Sequence, residues 1–229
     1  VAARRADPDP FARRLAALGT DVSVVSAVGD DPRGRQAIDI LRAYGIDVTL
    51  IQLIADAVTG TVGVSLDAKG KPTFTIHEGS AWDRISWTPE LAARITGADA
   101  VYFGTLGQRG EVSRATIRRA LDVAKASGTV RILDVNLRPP FYDATMIRTS
   151  VECASILKLS DDELAEVAAA CGVDSASGGK DKLQALQERF RLDLVVMTRG
   201  AEGALLVSPD EIIDQPGIPV HVRDTVGAG

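Results

Sequence analysis

Apolar residues recur along this chain in two rhythms that trade places. Phe11, Leu15 and Leu18 are spaced for one helical face, and Gly19 is placed to end it. Ala37, Ile40 and Leu41 repeat that spacing within 33–44, closed by Gly45. Between them 22–28 reads as a buried strand, and 46–53 reads as extended. At 61–66 and 73–77 the period drops to two, and Asp67-Ala68-Lys69-Gly70-Lys71 joins the runs as a turn, so an antiparallel hairpin is predicted. From Pro89 onward helix and strand alternate. Helices are predicted at 90–96, 114–127, 142–151, 161–170 and 182–190, and strands at 100–103, 131–135, 155–159 and 194–197. The polar run 174–181 reads as a surface loop. A tight glycine turn then leads to a strand at 203–207, and a last strand is expected at 219–222.

Such alternation predicts right-handed βαβ crossovers and an α/β fold: a mostly parallel, doubly wound sheet with helices on both faces. The expected body covers 1–58 and 84–229, with 59–83 as a small β lid. At 229 residues and 45% hydrophobic, the chain has enough apolar sequence for a real core. Aromatics are only 4%, so Ala, Val, Leu and Ile must fill it. Net charge is −5 with no basic block, which argues against nucleic acid and anionic membranes as partners. Cys153 and Cys171 are too few for a disulfide scaffold, and His77 and His221 stand alone. No apolar run reaches 18 residues, so a cytoplasmic protein is expected. The chain opens without Met and stops on a glycine loop, which reads as a fragment.

Ligands of open parallel sheets bind outside the carboxyl ends of the strands. Those ends read Gly29-Asp30-Asp31, Gly104-Thr105, Asp134-Val135-Asn136-Leu137-Arg138, Lys158 through Glu163, and Thr198-Arg199-Gly200. Gly29, Gly104, Asp134, Ser160, Thr198 and Gly227 are therefore expected along one edge. In Gly227-Ala228-Gly229 successive backbone N–H groups can converge on a phosphate or a developing oxyanion. Arg138 has the fork geometry for phosphate or carboxylate, or ties its strand to a helix by a salt bridge. Glu163 either closes a capping box with Ser160 or holds Mg²⁺ through water. His77 is expected to pack the hairpin or touch ligand, Trp82 and Trp87 to pack the hairpin onto the body, and both cysteines to be buried.

These stretches, with Thr59-Gly60-Thr61 and Asp224-Thr225-Val226-Gly227-Ala228-Gly229, resemble the PfkB (ribokinase-like) carbohydrate kinases over nearly the whole chain. Thr75-Ile76-His77-Glu78 with Ala81-Trp82-Asp83 is most similar to bacterial fructokinases. The resemblance implies transfer of the γ-phosphoryl of ATP to a sugar hydroxyl, most simply of fructose, with Mg²⁺ and K⁺. It implies that Gly227, Ala228 and Gly229 form the anion hole, with the family's catalytic Asp next after Gly229. Thr198, Gly200 and Gly203 would line the nucleotide. Arg138 and Asn136 would face phosphates or substrate, and Ser160 stands where the family has Asn, one turn before Glu163 at Mg²⁺. Asp224 and the Val226 carbonyl would touch K⁺. The hairpin would cover the sugar and join a homodimer. Two alternatives stand beside this reading: a non-catalytic sugar or nucleotide binder, and a kinase for 2-keto-3-deoxygluconate or a nucleoside.

Overall fold

The structure is a computed structural model, and it describes residues 10–66, 72–175 and 177–219. The chain divides into two compact units: 1–91 with 110–116, and 92–109 with 117–229.

The second unit is built on a six-stranded sheet. Its strands are β5 (Ala100–Gly104), β6 (Val130–Asp134), β7 (Ile156–Ser160), β8 (Leu194–Thr198), β9 (Ala204–Val207) and β10 (Ile212–Gln215). They lie side by side in the order β10-β9-β8-β7-β6-β5. Strands β5 to β8 are parallel, β9 pairs antiparallel with β8, and β10 pairs antiparallel with β9. Each parallel step is bridged by helix: α4 (Glu111–Ala126), α5 (Ala144–Cys153), then α6 (Asp161–Cys171) with α7 (Gly179–Phe190). The alternation within each strand decides its faces. In β7, Leu157 and Leu159 are fully buried while Ile156, Lys158 and Ser160 are half-buried. The buried side packs Leu133, Leu157, Val195 and Met197 against Leu121 of α4, Ile147 and Val151 of α5, Val167 of α6, and Leu183 and Leu186 of α7. Each such leucine contributes about 1.5–3 kcal/mol by leaving water.

Caps fix where these helices begin. The Asp143 carboxylate accepts from Met146 N–H at 2.7 Å to start α5. Ser160 and Glu163 form a reciprocal capping box at the head of α6, and Gly172 closes that helix in the left-handed region at φ 67°.

The first unit holds α1 (Pro10–Ala17), β1 (Ser26–Gly29), α2 (Pro32–Ala43), β2 (Ile51–Ile54) and the antiparallel pair β3 (Val62–Leu66) and β4 (Pro72–Ile76). Helix α3 (Pro89–Thr96) begins in this unit and ends in the other. Strands β1 and β2 pair in parallel as a sheet of their own. Ala27, Ala81 and Ile85 form one small core, and Ala12, Leu41 and Ile46 another.

Several expectations shift. Gly29 closes β1, which belongs to a two-stranded sheet of its own and not to the six-stranded sheet that carries Gly104 and Thr198. The strand expected at 22–28 shrinks to Ser26–Gly29, with an isolated bridge at Ser23 to Asp47. Helix α4 starts at Glu111 and α7 at Gly179, one turn earlier than the apolar spacing marks, because polar first turns need no apolar face. Strand β10 is absent from the sequence reading. Cys171 is buried, and burial pushes its thiol up to about 11. Cys153 is only half-buried, with its sulfur 3.9 Å from the Arg118 guanidinium. The expected strand at 219–222 runs into residues outside those described.

Candidate active site

Parallel register aligns the strand ends of the second unit. Gly104 stands opposite Asp134, Asp134 opposite Lys158, and Ser160 opposite Thr198. The polar residues predicted after β5, β6, β7 and β8 therefore share one edge.

Glu163 joins two of these ends. One carboxylate oxygen accepts from Leu137 N–H at 2.6 Å, and the other from the Ser160 N–H at 2.8 Å and hydroxyl at 3.0 Å. The head of α6 is thereby tied to the loop after β6, which carries Asn136 and Arg138. Asn136 is held at φ 42°, a left-handed conformation that few side chains other than Asn and Asp accept readily. Arg138 is exposed and donates to the neighbouring Leu137 carbonyl at 2.9 Å. Among the described residues no salt bridge ties it to a helix.

Two further groups at this edge have partners that the sequence does not announce. Asp134, 14% exposed, accepts on one oxygen from both Lys158 Nζ at 3.0 Å and the Tyr102 hydroxyl at 2.7 Å. Strand register is what brings Lys158 to Asp134. Thr105, buried, donates to the Val135 carbonyl at 2.8 Å and so fixes the backbone just before Asn136.

After β8 the chain makes a compact 3-10 turn at Gly200–Glu202. Arg199 N–H donates to the Gly203 carbonyl at 2.8 Å. The Arg199 guanidinium pairs with Asp214 of β10 and reaches the Ala204 carbonyl at 3.3 Å. Bonding to Asp214 pushes its pKa further up. Thr198 stands at the root of this turn, with Gly200 and Gly203 in it. Gly227, Ala228, Gly229, Asp224 and Val226 lie outside the described residues.

The structure thus brings together Asn136, Arg138, Ser160 and Glu163, with Thr198 beside Ser160. Among the described residues no three His, Cys, Asp or Glu side chains are grouped to cage a metal, and no helix is long and apolar enough to cross a membrane.

The family described as pfkB family carbohydrate kinase matches residues 11–229. The chain belongs to it. This PfkB chain is 31% identical over 223 residues to an aminoimidazole riboside kinase of Salmonella typhimurium, covering 94% of the chain and 66% of that protein. It is 31% identical over 227 residues to a fructokinase of Klebsiella pneumoniae, covering 97% of the chain and 72% of that protein. The chain thus spans about two thirds of the length of these relatives. Among solved structures, a fructokinase of Xylella fastidiosa with bound ATP superposes at TM-score 0.82 with 22% identity, over 95% of this chain and 67% of that one. The aminoimidazole riboside kinase of Salmonella enterica, complexed with aminoimidazole riboside and an ATP analogue, superposes at 0.74 with 26% identity, over 95% and 70%. The mostly parallel, ribokinase-like sheet expected for this PfkB chain is the one found.

Proposed function

We propose that this chain supplies most of an ATP-dependent sugar kinase whose acceptor is fructose. The observation that carries the reading is the shared edge, where loops after β6, β7 and β8 present Asn136, Arg138, Ser160, Glu163 and the Thr198–Gly203 turn. Phosphoryl transfer asks the protein mainly to position reactants and to offset charge, and such an edge suits both tasks. In this reading Thr198, Gly200 and Gly203 line the nucleotide, and Arg138 and Asn136 face its phosphates or the substrate. The donor set fits Mg²⁺. Glu163 has both oxygens engaged by the chain, which suits a hydrated ion held through water and phosphate oxygens better than a caged one. When bound, Mg²⁺ neutralises phosphate charge. The anion hole at Gly227-Ala228-Gly229, K⁺ near Asp224 and Val226, and dimerisation through the β3–β4 hairpin complete the proposal.

A second acceptor class, a riboside, is supported by the riboside kinase being as similar to the chain as the fructokinase. A coupled ADP-release screen over fructose, other ketoses, keto-deoxy acids and ribosides, with and without K⁺, tests both. Turnover of fructose, raised by K⁺, supports the first reading, and turnover of a riboside alone replaces fructose while keeping the kinase. No turnover of any acceptor contradicts the proposal.

A further inference from the structure

At the root of the β3–β4 hairpin, Asp31 gathers a set of bonds that the reaction outlined above does not use. Its carboxylate accepts from Thr59 N–H at 2.9 Å, the Thr59 hydroxyl at 2.9 Å and Gly34 N–H at 2.8 Å. The Thr59 hydroxyl oxygen in turn accepts from Gly29 N–H at 3.0 Å. The Asp31 and Thr59 side chains together thus tie the end of β1, the N-terminus of α2 and the residue three places ahead of β3. Packing around the knot leaves no slack. A Cβ on Gly29 would fall 2.4 Å from the Ala57 carbonyl oxygen and 2.7 Å from the Asp31 carboxylate. The returning limb is anchored as well. Ala81 N–H donates to the Val58 carbonyl at 2.8 Å, and Ser80 and Asp83 close a capping box.

We infer that Asp31 and Thr59 are positioning residues for the phosphoryl acceptor: their clasp sets the exit angle of the β3–β4 hairpin and hence the fit of whatever the hairpin covers. This rests on the proposed reading of the hairpin as the cover over the sugar. A carboxylate can accept several bonds at once along directions fixed by its plane, so it orients two backbone segments where a hydrophobic contact would let them slide. An Asn side chain has one acceptor oxygen and cannot take the place of both carboxylate oxygens. Valine at 59 keeps the volume and the N–H but loses the hydroxyl.

The test uses the full-length protein with Asp31→Asn, Thr59→Val and Thr59→Ser, and two readouts. Amide hydrogen exchange is followed in 62–66 and 72–76 against 130–134 and 156–160, and KM is measured separately for acceptor and for ATP. Asp31→Asn and Thr59→Val should speed hairpin exchange about tenfold with the six-stranded sheet unchanged. They should raise the acceptor KM about tenfold and the ATP KM less than twofold. Thr59→Ser should restore both. Exchange rising equally in both regions, both KM values moving together, or no change in either readout overturns the inference. If the wild-type protein phosphorylates no acceptor, the functional reading fails, and the exchange arm still decides whether the clasp holds the hairpin.

Discussion

Glu163 shows at the level of one residue what a local pattern announces and what it does not. It does close the capping box with Ser160, and it also holds Leu137 N–H, 26 residues away. Only the second bond links it to Asn136 and Arg138, and no local pattern announces a partner so distant. Glu163→Ala should leave the Leu137 N–H and the cap unsatisfied, costing about 1–3 kcal/mol. Chemical denaturation reads this as a lowered midpoint at unchanged m, and an unshifted midpoint would remove Glu163 from the tie. Asp31 makes a pH prediction. Partial burial works to raise its pKa, but bonds from Thr59, Gly34 and Arg33 outweigh it and the net direction is down from 3.8. A carboxylate depressed in the folded state adds stability above its unfolded pKa and loses it as pH falls through the folded one. Hairpin-root protection should therefore hold down to about pH 4 and fade only below that. Exchange at the Thr59 amide from pH 6 to 3 checks this, and loss of protection already near pH 5 would contradict it.

Elements whose information is local were legible. The 3.6-residue spacing in α2 and α5, the alternation in β7 and the Ser160–Glu163 cap all state themselves within a few positions. Strand β10 did not. It carries Asp214 and Gln215, among the described residues it pairs on one side only, and what fixes it is the Arg199–Asp214 ion pair and close backbone packing at the preceding turn. Gly203 sits at φ 92°, and a Cβ there would fall 2.0 Å from the Gln215 carbonyl oxygen. Gly200, at φ 53°, has nothing within 4 Å of a Cβ. Gly200→Ala should cost about 1 kcal/mol from the left-handed backbone alone. Gly203→Ala must also displace 215–217 and should cost well over about 2 kcal/mol, with a matching loss of ATP affinity. Equal denaturation midpoints for the two variants would show that the turn does not need that approach.

Across the whole molecule, pattern sufficed for the fold class, because alternating helix and strand leave few right-handed solutions. It failed at two points where spatial neighbours decide. Gly29 was expected on the common edge yet belongs to the separate β1–β2 sheet, and the Tyr102–Asp134–Lys158 group emerges only from strand register. The central claim is that nucleotide phosphates bind along the ends of β6, β7 and β8. It is tested most directly by hydrogen exchange on the full-length protein with a non-hydrolysable ATP analogue and Mg²⁺. The account predicts added protection at 135–138, 160–163 and 198–203, and none in the helix at 33–43. Binding that leaves those three loops unprotected would contradict it.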